Sequence, residues 1–379
     1  MRYPVYMDYN ATTPVDERVL EAMLPYFNVH FGNAASRTHV FGLKAEEAVD
    51  VARKQLARLL GAAANEIAFT SGATESINLA LKGAFEANRH RGNHLITVQT
   101  EHKAVLDTCA HLEKLGAEVT YLIPDSEGLI TAGQVADALQ PNTLLVSVML
   151  ANNEIGVVQP IADIARLTRE RGLLFHTDAT QAVGKLPINL AELPIDLLSL
   201  SGHKLYAPKG IGALVVRNKT TVIAQQDGGR HERGRRSGTL NVPGIVALGR
   251  AAQLAQSLMD EETARLSVLR DKLETDILAA IPGSAVNGSR TQRLPNTTNI
   301  RFADVDGELL LMSLNEIAVS NGSACNAAST EPSHVLKALG LPDELAYSSV
   351  RFSLGRHTTE ADIQVAVEHV KQVVGQLRR

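Results

Sequence analysis

The sequence predicts an α/β protein: a mostly parallel sheet of seven strands covered on both faces by helices, followed by a smaller α+β unit. Three observations carry this. Short apolar runs alternate with helical patterns through the first two-thirds of the chain, as in successive strand–helix–strand units. The alternation stops near residue 245, where a long polar–apolar helical pattern begins. At 379 residues, the chain exceeds what one core organises, so two domains are expected.

The first strand is Glu66–Thr70, leading through T-S-G-A-T-E-S into a helix over Glu75–Ala87. The apolar run His94–Gln99 follows, then a helix over Ala104–Leu115 and a strand over Glu118–Ile123. Leu144–Leu150 is continuously apolar and short, as in a strand buried on both faces. A helix over Ile161–Arg171 separates it from Leu173–Thr177, Asp196–Ser199 and Gly212–Val216. Beyond these come a helix over Gly249–Ala280, a few short strands and a closing helix over Glu360–Leu377. The expected division is a large α/β domain over 14–255 and a smaller α+β domain formed by 1–13 and 256–379. No internal repeat or low-complexity tract interrupts this plan.

Composition narrows the function classes. Net charge is −4, so no global field favours nucleic acid or an anionic membrane. No apolar run is long enough to span a bilayer, and M-R-Y-P-V-Y-M-D-Y-N lacks the apolar core of a signal peptide. Two cysteines, Cys109 and Cys325, make neither a disulfide framework nor a cysteine zinc cluster, and a cytoplasmic location is expected. Cys109 lies in a helical pattern and reads as packing. Cys325 lies in N-G-S-A-C-N-A-A-S-T, where no bulky apolar neighbour would bury it.

In an open α/β sheet, ligands bind beyond the carboxyl ends of the strands. Each predicted strand end delivers a polar group: Ser71–Thr74, His102, Asn152 and Asn153, Asp178 and Gln181, then Ser201, His203 and Lys204. Taken singly, most have an ordinary structural explanation. Ser71–Thr74 suits a strand-to-helix turn, although its N–H groups and hydroxyls also suit an anion. His102 suits a satisfied histidine at a helix start, or a ring stacked on a cofactor with a nitrogen free for proton transfer. Asp178 suits a helix cap, or a buried carboxylate paired with a protonated ring nitrogen. Lys204 is the most informative, because a lysine desolvated at the sheet edge becomes a nucleophile toward an aldehyde. Lys209, in A-P-K-G, reads as a surface lysine in a turn. Together the groups meet the needs of pyridoxal phosphate: an amine for the aldehyde, a carboxylate for the pyridinium, and a helix terminus for the phosphate.

At this point the chain resembles the cysteine desulfurases of the nitrogen-fixation and iron–sulfur-cluster type, within the fold type I pyridoxal-phosphate enzymes. The resemblance runs through M-D-Y-N-A-T-T-P (7–14), F-G-N (31–33), T-S-G-A-T-E-S (70–76), T-E-H-K-A-V-L-D (100–107), N-N-E-I-G (152–156), H-T-D-A-T-Q (176–181), S-G-H-K (201–204), R-R-S-G-T (235–239) and G-S-A-C (322–325). It implies pyridoxal 5'-phosphate as cofactor, with Lys204 holding its aldehyde, Asp178 its ring nitrogen and Gln181 its phenolic oxygen. It implies that His102 stacks on the ring and handles protons. Ala73, Thr74, Ser201 and His203 would meet the phosphate, with Asn153 a further contact. Thr239 would reach the phosphate of the other subunit in a homodimer. Arg351, helped by Asn33, would pair with the substrate carboxylate, a bidentate task suited to a guanidinium. Cys325 would take sulfur from L-cysteine and hold it as a persulfide for an acceptor protein. Position 321 is Asn where relatives often carry Ser. The chain ends at Arg379, where housekeeping members carry a longer tail that docks the scaffold, so a specialised role stays open.

The expected reaction is therefore conversion of L-cysteine to L-alanine, with sulfur passing through Cys325. A selenocysteine lyase and an aminotransferase would share Lys204 and Asp178. The basic segment Gly228–Thr239 is too short and lacks the aromatic residues for base stacking, so an intersubunit loop is expected there rather than a nucleic-acid site.

Overall fold

The structure is a computed structural model and describes residues 3–321 and 331–378; Cys325 lies outside the described residues. After a short β1 (Val5–Tyr6) come the strands of the main sheet: β2 (Ile67–Thr70), β3 (His94–Val98), β4 (Glu118–Leu122), β5 (Thr143–Ser147), β6 (Leu174–Asp178), β7 (Leu197–Ser201) and β8 (Gly212–Val216). Their order is β2-β8-β7-β6-β5-β3-β4. Every residue of β2, β3, β5, β6, β7 and β8 is buried, which explains why these strands read as unbroken apolar runs. Only β4, at an edge, is partly exposed.

The sheet is parallel from β4 to β7, while β8 runs antiparallel to both β7 and β2. Two antiparallel pairings in succession return β2 to the direction of β7. The carboxyl ends of β2, β3, β5, β6 and β7 therefore share one edge, and the polar groups that follow them converge there.

The remaining strands among the described residues form two small sheets. β9 (Ser284–Val286), β10 (Thr297–Phe302) and β12 (Ser349–Ser353) pair antiparallel in the order β12-β10-β9, and β11 (Ile317–Ala318) pairs in parallel with β1. Met7 accordingly packs with Leu269, Phe302, Val350 and Ile363 in one apolar core. A separate core gathers Leu56, Ile96, Val146, Phe175 and Leu200 around the main sheet.

One helix runs through both cores. Val242–Ala280 is 39 residues long, so about 58 Å from end to end. Its first half buries Leu248, Ala251 and Ala255, and its second half Leu266, Leu273 and Ile277. It starts seven residues before the expected Gly249, because Asn241 caps it by accepting from Gly244 N and Pro243 suits a first turn. Against it lies a helix that strand-first reading passed over, Val40–Leu60. His39 caps its start, and Gly61 ends it with φ +63°, a left-handed conformation suited to glycine. A Cβ on Gly249 would come within 2.5 Å of Ala52 Cα, so this glycine permits the close crossing.

Candidate active site

The shared strand edge opens into a cleft of about 520 Å³. Ten residues singled out from the sequence line it: Ala73, Thr74, His102, Asn153, Asp178, Gln181, Ser201, His203, Lys204 and Arg351. Asn33 and Thr239 do not. Both are exposed, and Asn33 Oδ1 closes a turn on Ala35 N.

Lys204 ends a single tight turn, Gly202–Lys204, that follows β7. Its ammonium donates to the carbonyls of Asn10 and Ala11. The N-terminal motif wraps this turn, since Thr13 N and Oγ1 both donate to His203 O at 3.0 Å. Asn10 had no assigned role in the sequence reading, because a backbone carbonyl leaves no side-chain signature. Burial, helped by the charges of Lys204 and Lys209, pushes His203 down to about 4, so its ring is neutral at pH 7. Lys209 is exposed as expected, yet it also reaches the mouth of the cleft.

Asp178 is the last residue of β6 and is 5% exposed. Its Oδ1 accepts from Thr180 N at 2.9 Å, so it does cap the following turn. Among the described residues the second oxygen has no hydrogen-bond partner, and the side chain lines the cleft. Beneath it, His176 bridges Ser147 Oγ and Ser199 Oγ at 2.9 Å each, and burial lowers its pKa to about 3. That neutral ring fills the sheet interior without adding charge.

His102 serves both readings. It caps the helix Lys103–Glu113 by accepting from Ala104 N at Nδ1, which places the neutral ring's proton on Nε2. The same side chain lines the cleft. Behind it, Glu101 is fully buried, accepts from Met149 N, and is held well above the usual carboxylate range by burial and by the nearby Asp178 charge.

At the opposite wall the helix Ala73–Asn88 begins with no capping side chain, because Gly72 is its N-cap. Its first N–H groups belong to residues that line the cleft, which suits an anion. Glu75 accepts from Ser71 N at 2.8 Å and from Arg236 Nε at 2.9 Å, tying the basic segment to this turn. The segment is anchored again by Glu232, whose carboxylate takes both Arg53 nitrogens and Phe69 N at 2.8 Å.

Arg351 is 2% exposed, on β12. It donates to Asn153 O at 3.0 Å and to Asp8 Oδ1 at 2.5 Å. Its Nε is buried with no partner among the described residues.

The cleft thus fits pyridoxal phosphate on its own chemistry. It combines an amine, a buried carboxylate with an oxygen to spare, and an uncapped helix terminus. Cys109 is fully buried in apolar packing, and its thiol is pushed up to about 12, so it is inert. Among the described residues no group of three or more His, Cys, Asp or Glu could hold a metal, and no helix is long and apolar enough to cross a membrane.

Cysteine desulfurase IscS of Anaeromyxobacter dehalogenans is 54% identical over 380 residues, covering all of this chain and 94% of that protein. The same enzyme of Histophilus somni is 57% identical over 382 residues, again covering all of this chain and 94% of the relative. Among solved structures, a NifS-like protein superposes with TM-score 0.92 at 36% identity, covering 99% of this chain and 100% of the other. The model of the aminotransferase class-V family matches residues 5–365, taking in every strand of the sheet and every wall of the cleft. With a match of that extent, the chain belongs to the aminotransferase class-V family.

Proposed function

We propose that the cleft binds pyridoxal 5'-phosphate and that the protein is a cysteine desulfurase. It converts L-cysteine to L-alanine and passes sulfur through Cys325 to an acceptor protein. The observation that carries this is the meeting of Lys204, Asp178 and an uncapped helix start in one cleft. Full-length likeness to cysteine desulfurases supports it.

When bound, the cofactor supplies an aldehyde and a ring that accepts the electron pair released at the substrate α-carbon. Lys204 would hold the aldehyde, and its amine would take the substrate α-proton and give one back to the product carbon. Asp178 keeps a proton on the ring nitrogen. Ala73, Thr74, Ser201 and neutral His203 donate to the phosphate. Asn153 is a further cofactor contact. His102, with its proton on Nε2, lies where it can cover the ring and exchange protons with the thiols. Arg351, which lines the cleft, would pair with the substrate carboxylate, exchanging its Asp8 partner to do so, whereas Asn33 lies outside the cleft and would take no part in that grip. The Cys325 thiolate would attack the substrate sulfur, forming the persulfide bond while the substrate carbon–sulfur bond breaks and its electron pair stays with the product carbon, which then takes a proton; the role rests on the sequence setting of Cys325.

We also read the protein as a cytoplasmic homodimer, divided into units over 14–255 and over 1–13 plus 256–379. Leu24, Phe27, Phe31, Phe41 and Val51 are all exposed within one stretch of chain, an apolar surface that a second copy would cover. Thr239, exposed and outside its own cleft, would then serve the partner's phosphate. The reading is tested by Lys204→Ala. The parent protein, supplied with pyridoxal phosphate, should bind it with a visible absorbance band and release alanine from cysteine. The variant should lose both. Full activity in Lys204→Ala would overturn the assignment.

A further inference from the structure

Lys185 is a lysine that the reaction above does not use. Its side chain is half-buried beside Gln181, and its ammonium donates to Gln181 O at 3.0 Å and to Gln181 Oε1 at 3.2 Å. A lysine ammonium only donates, so the amide atom that faces it must be the oxygen. The amide nitrogen is thereby turned the other way, where Nε2 donates to Asn10 O at 3.0 Å. That carbonyl has two lone pairs and also accepts from Lys204, so Asn10 O and Lys185 hold opposite ends of the same amide. Nε2 carries a second hydrogen, and Gln181 lines the cleft.

We propose that Lys185 is a positioning residue. By occupying the oxygen of the Gln181 amide, it leaves only N–H to be offered to an anionic oxygen of the molecule in the cleft. The inference rests on the cofactor reading above and extends it to a residue outside the cleft. Asn10 O fixes the amide from the nitrogen side, and Lys185 is the group that fixes it from the oxygen side. The small void beside Lys185 is also lined by Lys204, Glu262 and Arg356. Lys204 donates to Asn10 O and Ala11 O, and Arg356 to Glu262 and Asp16. Burial of Lys185, with the Lys204 charge adding to it, lowers its pKa to about 7, so it is the charged form, favoured below that pH, that fixes the amide this way. An apolar residue would lose the oriented amide.

The test uses the holoenzyme and reads the pH midpoint of the bound cofactor's visible band beside turnover. An N–H given to the ring oxygen stabilises its negative charge, so losing it raises the site's proton affinity. Lys185→Met should move the midpoint up by about one pH unit and lower kcat/KM about tenfold. Lys185→Arg, which still donates to the amide oxygen, should return the midpoint toward the parent. In a Gln181→Leu background, Lys185→Met should shift the midpoint less than in the parent, because its route of action is gone. If Lys185→Met does not fold, Lys185→Gln is compared with Lys185→Arg in the same two backgrounds. An unchanged midpoint in a cofactor-loaded Lys185 variant, or shifts that add fully in the double variant, would overturn the proposal. A parent protein with no visible band would instead overturn the cofactor reading, and this inference with it.

Discussion

Replacing Asp178 by Asn tests the electron sink while disturbing little else. The carboxylate is 5% exposed and has two separable tasks. Oδ1 accepts from Thr180 N at 2.9 Å, which an Asn oxygen can also do. The strand end is held independently, with Leu150 N donating to Asp178 O and Ala179 N to Ser199 O. The fold and the capped turn should therefore survive. The second oxygen becomes an amide nitrogen, which faces a protonated ring nitrogen with a donor instead of an acceptor. A hydrogen bond to a charged group is worth about 1.5–3 kcal/mol, and burial argues for the upper part of that range. At 1.36 kcal/mol per decade, alanine release should fall about tenfold to a hundredfold. The assay is alanine production from cysteine at saturating pyridoxal phosphate, with bound cofactor measured by absorbance. The variant should keep some cofactor and lose most turnover. Activity within about twofold of the parent would show that Asp178 is only a cap.

Two further predictions concern the frame around the cleft. Glu232→Gln leaves the buried Arg53 charge without a counter-ion, since the side chains are 6% and 0% exposed; it should cost about 3–5 kcal/mol in denaturant unfolding, and replacing both residues by apolar ones should recover much of that. A single-variant loss below about 1 kcal/mol would show that the pair does not anchor the basic segment. Asp16 is held well below the usual carboxylate range by Arg18, with Arg356 adding to it. Its folded pKa is depressed, so its contribution is complete above the unfolded value near 3.9 and is lost as pH falls toward the folded one. Asp16→Asn should lower stability at pH 7 by about 1–2 kcal/mol, discounted because Arg18 is half-exposed. The difference from the parent should shrink below about pH 4; a gap that persists at lower pH would contradict the charge argument.

Most of the cleft was legible because parallel strands announce themselves as short apolar runs, and each hands a polar residue to one edge. Asp178, Lys204 and His102 all follow or end such runs. Strand ends were less legible. Val148–Leu150 are apolar and buried, so Leu144–Leu150 read as one strand, but β5 stops at Ser147 and the rest turns toward the cleft wall. The helix Val40–Leu60 carried clear signals, His39 before it and Gly61 after it, yet a reading organised around strands did not reach it. Asn10, Lys185 and Asp8 were not legible in principle. Asn10 acts through its backbone carbonyl on Gln181 and Lys204, and Asp8 pairs with Arg351, both far away in sequence, while Lys185 meets Gln181 only four residues earlier but carries nothing in its type that names that amide. The basic segment read as polar loop, but Glu232 within it is buried and anchors it through Arg53.

In the proposed reaction sulfur leaves the substrate onto Cys325. This step is tested most directly by mass spectrometry of the holoenzyme after cysteine treatment, for the parent, Cys325→Ser and Cys109→Ser, with alanine measured in parallel. The parent and Cys109→Ser should gain sulfur on Cys325 and release alanine. Cys325→Ser should bind pyridoxal phosphate and still change its visible spectrum with cysteine, yet gain no sulfur and release almost no alanine. Sulfur found on Cys109, or normal alanine release by Cys325→Ser, would contradict the account.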